Sequence, residues 1–234
     1  MLQQTQVKTV LPRYQNWFDT FPTIETLASA STDDLLKAWD KRFGIDSVET
    51  SVAVYWGRDL MRASMADAQA QGINIYDYMA NHTTPAGRLG ALRSALGTLE
   101  GDFGDWRQKW GDIHRFQRLT GDMVQPFDDA GASIPVAFTS ARWGSLAAYG
   151  QRTFTDAKKN YGTRGNSFVA VVEFGDKVKA RAISAGGQSG DVNNPHFNDQ
   201  AERYATGNLR DVHFYREDVE ANAEETYHPG QREK

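Results

Sequence analysis

Few residues in this chain have the types and spacing that chemistry requires. Five histidines stand at 82, 114, 196, 213 and 228. No two are spaced as ligands sharing a helix turn or a hairpin, so no metal site is expected. His114 falls in a stretch, 111–118, that reads as a strand. There it either faces a cleft or is satisfied by backbone hydrogen bonds, and the second reading carries more weight. Pro126-Phe-Asp-Asp129 offers two adjacent carboxylates to calcium, but no further spaced oxygen ligands follow, which favours a solvated turn. Gly186-Gly-Gln-Ser-Gly190 has the glycine density of a phosphate loop without the lysine and helix such a loop needs. Glycines free to take positive φ in a tight turn explain it better. The chain has no cysteine, which excludes disulfides, thiolate zinc sites, iron–sulfur clusters and a thiol nucleophile. Residue type and spacing therefore assign no catalytic, cofactor-binding or metal-ligating residue, and no cofactor is expected.

The elements that would position a site are easier to read. At 234 residues the chain can hold one large domain or two small ones. Its 26 Lys and Arg are interspersed with 30 Asp and Glu, so no basic field marks a nucleic-acid surface. Val7, Val10, Leu11, Tyr14, Trp17 and Phe18 share one helical face. Asp46 or Ser47 can cap a helix carrying Val48, Val52, Trp56 and Leu60 that ends near Gly72. Thr84 with Pro85 opens another, whose Leu89, Leu92, Leu96 and Leu99 form an apolar stripe too short for a coiled coil. Beyond Trp110 the period shortens to that of strands. The run 134–138 reads as a strand that Pro135 confines to an edge or a start. The run 168–174 is nearly all apolar, which predicts cover on both faces. Gly175-Asp176 predicts a two-residue hairpin turn. In the returning strand Lys177, Lys179 and Arg181 alternate with Val178, Ala180 and Ala182. Helices near 196–206, ended by Gly207, and 216–226 complete an α+β chain. No run approaches the roughly 18 apolar residues of a membrane span, and the N-terminal residues are not expected to act as a signal peptide, having neither its basic nor its apolar region.

Two resemblances emerge from particular motifs. Leu36-Lys-Ala-Trp-Asp40, Trp110-Gly-Asp-Ile-His-Arg-Phe-Gln-Arg118, Gly165-Asn-Ser-Phe-Val-Ala-Val-Val-Glu-Phe-Gly175, Asp211-Val-His-Phe-Tyr-Arg-Glu-Asp218 and Thr226-Tyr-His-Pro-Gly230 resemble the distal β chain of the penicillin acylase family. The glycine-bounded hairpin looks most like the aculeacin-type and acyl-homoserine-lactone acylases. The resemblance implies the C-terminal part of an N-terminal-nucleophile hydrolase with an αββα sandwich. Its amide hydrolysis would use a serine freed as a new N-terminus, with the α-amino group as base and an oxyanion hole from backbone N–H and Asn. The family's Gly-Ser-Asn signature has no counterpart here. The only Gly-Ser pair is Gly144-Ser145, followed by Leu-Ala-Ala, and reads as a turn entering a strand.

Met1-Leu-Gln-Gln-Thr-Gln-Val7, Phe21-Pro-Thr23 and Asp34-Leu-Leu36 resemble an early segment of adenine DNA glycosylases, in which Gln3 matches a residue that wedges into the duplex. The catalytic Glu of that family would fall before Met1. The two patterns meet near residues 35–39, inside a predicted helix. This divides the chain into residues 1–39, glycosylase-like, and residues 40–234, acylase-like. It is expected to be a fusion, a remnant or a chimera, inert without an upstream acylase α chain and the N-terminal part of the β chain. Its rivals are a non-catalytic interaction fragment and a DNA-binding remnant. Relatives of the acylase type are periplasmic or secreted, whereas this chain as written is expected in the cytoplasm.

Overall fold

A computed structural model describes Thr23, Thr26, residues 41–154 and 156–228, and residues 230 and 231. Elements are labelled in chain order within that span. The helical face of residues 7–18, Gln3 and the junction at 35–39 lie outside the described residues.

Helix α1, Val48–Ala70, begins where the Ser47 hydroxyl accepts the Thr50 N–H, which satisfies a donor the helix cannot. Ser47 rather than Asp46 is thus the cap. Gly72, at φ 66°, follows its end. Helix α2, Ile75–Asn81, is capped by Asn74. Helix α3, Pro85–Phe103, opens as predicted, with the Thr84 hydroxyl accepting the Gly87 N–H and Pro85 in the first turn. Leu92, Leu96 and Leu99 are buried against Val48, Val52 and Tyr55 of α1, with Trp106 and Trp110 closing the cluster. The stripe is core, as its 3.6-residue period requires. Burying three leucines is worth roughly 2 kcal/mol each on transfer alone.

The stretch read as a strand from 111 starts differently. The N–H groups of Trp110 and Gly111 donate to the carbonyls of Ser47 and Ile45. That bonding locks one helical turn, α4, Trp110–Ile113, before strand β1, His114–Phe116, begins. Long-range bonds to the loop before α1 override local strand propensity here. Strand β2 covers only Ile134–Pro135 and lies at the sheet edge, where proline is tolerated. With β3, Tyr149–Phe154, and β4, Ala157–Gly165, the order is β2-β1-β4-β3. β1 and β4 are parallel, and the other pairs are antiparallel.

A second sheet, ordered β5-β6-β7, comprises Phe168–Glu173, Lys179–Ser184 and Arg210–Val212, all antiparallel. Its closing pair, Glu173↔Lys179, leaves residues 174–178 as the connection, longer than the two-residue turn expected. The Val178 N–H is diverted to the Tyr215 hydroxyl at 2.9 Å, which takes it out of the ladder. Val169 and Ile183 pack with Val136, Phe138, Tyr149 and Tyr204 in a second core. The remainder of β5 is open: Phe168, Val171 and Val172 are 59%, 41% and 45% exposed. The cover expected on both faces is therefore not supplied by the described residues. Helix α5, Ala201–Thr206, stops at Gly207 in the left-handed region, as predicted, and α6 spans Arg216–Ala221. Helices with one mixed and one antiparallel sheet make the chain α+β.

Candidate functional site

Ser145 follows a short 3₁₀ turn, Ala141–Trp143, and Gly144 at φ 87°. The seryl side chain is buried. Its oxygen accepts the Thr139 N–H at 3.2 Å and donates to the Ala147 carbonyl at 2.7 Å. Both functions of the hydroxyl are spent on fixing the approach to β3. Among the described residues no seryl or threonyl hydroxyl bonds a histidine, so no Ser–His or Thr–His pair forms.

His114 is fully buried at the start of β1, between the two cores. Its ring stacks on Trp110 at 4.5 Å and meets the edge of Tyr149 at 5.2 Å. Nδ1 lies 3.0 Å from the Val136 carbonyl, which makes Nδ1 the protonated nitrogen, because a carbonyl only accepts. Burial drives its pKa down to about 4, and the Val136 bond offsets only part of that. A neutral imidazole without solvent access is a packing group, as the backbone-satisfied reading foresaw. Its register neighbour on β4 is Asn160, also fully buried, whose Nδ2 donates to the Tyr55 hydroxyl of α1 at 3.3 Å. Among the described residues His114 Nε2 and Asn160 Oδ1 have no hydrogen-bond partner. This seam joins the helical layer to the first sheet, and no sequence spacing linked its residues, because they lie 46 to 105 positions apart.

The acidic pair at 128–129 lies in a turn, with Asp128 exposed as the solvated-turn reading expects and Asp129 engaged elsewhere. Asp129 accepts from the Lys158 N–H at 2.7 Å and from the Tyr161 hydroxyl at 2.8 Å, while Asp128 accepts from the Ala130 N–H. Asp129 thus holds the first residues of β4, a role invisible in sequence. Among the described residues no group of three or more His, Asp or Glu is placed to hold a metal ion. The 186–190 loop is a structural turn. Gly186 takes φ 84°. A Cβ on Gly187 would lie 2.7 Å from the Phe197 carbonyl oxygen and 2.8 Å from an Asp199 carboxylate oxygen. Arg118 fastens that turn, donating to the carbonyls of Phe197 at 2.6 Å and Ser189 at 3.0 Å. His196 pairs with Asp199 at 2.9 Å on the surface. Of the remaining histidines, His82 stacks on Tyr78, and His213 and His228 are exposed.

What these elements hold is scaffold: capped helices, two cores and a stapled turn, with Ser145, His114, Asp129 and the 186–190 loop engaged in structure. Comparison with known proteins gives that scaffold a context. The family profile described as penicillin amidase matches residues 1–221. Among curated proteins, an adenine DNA glycosylase of Buchnera aphidicola subsp. Baizongia pistaciae is 51% identical over 39 residues, which is 17% of this chain and 11% of that protein. The glycosylases of Rattus norvegicus and Homo sapiens are each 49% identical over 39 residues, 8% and 7% of their lengths. The chain therefore spans about a tenth or less of the curated relatives it matches.

Proposed function

We propose, from the premise that this chain belongs to the penicillin amidase family, that it is the C-terminal portion of an amidohydrolase. The full enzyme would cleave the amide bond of N-acyl compounds: acyl-homoserine lactones, lipopeptides or β-lactams. These 234 residues would not turn over such substrates by themselves. The observation that carries this reading is Ser145, the one serine preceded by glycine, whose hydroxyl is buried and committed on both sides. An acyl-transfer nucleophile needs a free hydroxyl and a base within about 3 Å. The reactive serine would come from an acylase segment bearing Gly-Ser-Asn, together with an α chain. The open apolar residues Phe168 and Val172 of β5 support this, since a sheet face of this composition belongs under another layer. The division at residue 39 is part of the same proposal.

The test is reconstitution. The purified chain is mixed with a nucleophile-bearing acylase portion, and fatty-acid release from an N-acyl-homoserine lactone is followed. Turnover appearing only in the mixture, and unchanged by Ser145→Ala, supports the reading. Turnover by this chain that Ser145→Ala abolishes overturns it. The 39-residue identity to glycosylases motivates a second reading, a DNA-binding remnant. It requires salt-sensitive binding to an A·G-mismatched duplex, lost in Gln3→Ala.

A further inference from the structure

Strand β5 ends its sheet, and the polarity of its open edge can be worked out. Antiparallel strands alternate between residue pairs that exchange both backbone bonds and pairs that exchange none. The Ala185 N–H donates to the Ser167 carbonyl at 2.8 Å. The register continues from Phe168↔Ser184 to Glu173↔Lys179. The bonded residues are therefore Val169, Val171 and Glu173. The N–H and C=O groups of Phe168, Ala170 and Val172 point away from β6, and among the described residues no strand pairs there. The strand itself carries none of the usual protections: no proline, no lysine, no bulge, and no charge before Glu173.

We propose that this edge pairs with the same edge of a second copy of this chain, giving a two-fold dimer whose two three-stranded sheets run on as one. The strand is complementary to itself in one register. With Ala170 opposite the partner's Ala170, Phe168 faces the partner's Val172, and all three outward residues fall in bonded pairs. That makes roughly six backbone bonds across the axis, with aromatic–β-branched pairs of the kind that stabilise sheets. Even-numbered side chains of both copies then lie on one face. The length of the strand selects this register over its neighbours. Glu173 stands opposite the partner's Ser167 rather than another apolar residue. A shift of two residues in either direction leaves only two of the three bonded pairs that Phe168, Ala170 and Val172 form with their counterparts. The net charge of −4 per copy opposes association only weakly.

The experiment combines sedimentation of the full chain over a range of concentrations with amide exchange. The expected result is a monomer–dimer equilibrium in which Phe168, Ala170 and Val172 amides gain protection as concentration rises. Val169 and Val171, bonded to β6, stay protected throughout. Ala170→Pro removes an outward N–H without touching the β5–β6 ladder, so it should weaken dimerisation at least tenfold while Val169 and Val171 keep their protection. Dimerisation retained in Ala170→Pro overturns the proposal. So does a species that stays monomeric while those three amides exchange freely, or one that grows into open polymers. Exchange is read on the unaltered chain, so the outcome does not depend on any variant folding.

Discussion

Lowering the pH from 7 toward 4 forces a proton onto His114, and the structure sets what that costs. The imidazole is buried between Trp110 and Tyr149 with Nδ1 on the Val136 carbonyl, and its pKa falls to about 4 against an ordinary value of 6.5. In the unfolded chain the ring titrates at the ordinary value, so the unfolded state binds the proton first. Stability is therefore intact above pH 6.5 and is lost as pH falls toward 4. The full difference, 2.5 pH units at about 1.36 kcal/mol each, is roughly 3 kcal/mol, of which about 2 kcal/mol is already lost at pH 5. The assay is urea unfolding followed by tryptophan fluorescence at half-unit steps from pH 7.5 to 4, for the parent chain and for His114→Gln. Carboxylates titrate in both proteins, so the difference between the two curves isolates the histidine. The parent should lose about 2 kcal/mol more than the variant between pH 7 and pH 5. Parallel curves would show that the ring is hydrated or already paired when protonated, and would refute the burial argument.

Other consequences follow from single contacts. Ser145→Ala leaves the Thr139 N–H buried without an acceptor and should cost about 1–3 kcal/mol in chemical denaturation. Asp129→Ala strips the acceptor from the Lys158 N–H and the Tyr161 hydroxyl and should cost about 2–4 kcal/mol, with neither calcium nor chelator altering the parent's melting temperature. Gly187→Ala collides with backbone oxygen and should destabilise by several kcal/mol, whereas Gly190→Ala meets open space and should be neutral or slightly stabilising in the same thermal melt. Leu96→Ala, at the centre of the α1–α3 contact, should cost about 2–5 kcal/mol by the same measurement.

Where local chemistry decides an element, the sequence reveals it. Ser47 and the Thr84-Pro85 pair mark helix starts because capping is a matter of neighbouring residues. Leu92, Leu96 and Leu99 mark a buried face because period reports burial. Pro135 sits on an edge strand because it lacks a donor. What escapes is whatever depends on distant partners. The helical turn at Trp110–Ile113 exists because of carbonyls at 45 and 47, more than sixty residues earlier. Asp129 is read as a solvated acid until β4 folds back on it. The run at 168–174 has the composition of an interior strand, which is a statement about what should cover it. The described residues leave that surface open. The site was equally limited. His114 as a backbone-satisfied histidine was legible from its type and place, but its neighbour Asn160 was not.

We propose that this polypeptide, a member of the penicillin amidase family, is inert by itself, Ser145 being committed to structure. This is tested most directly by incubating the purified 234-residue chain alone with an N-acyl-homoserine lactone and titrating released fatty acid. Release should be no faster than the buffer blank, with parent and Ser145→Ala indistinguishable. Catalytic release by the chain alone that disappears in Ser145→Ala would contradict it.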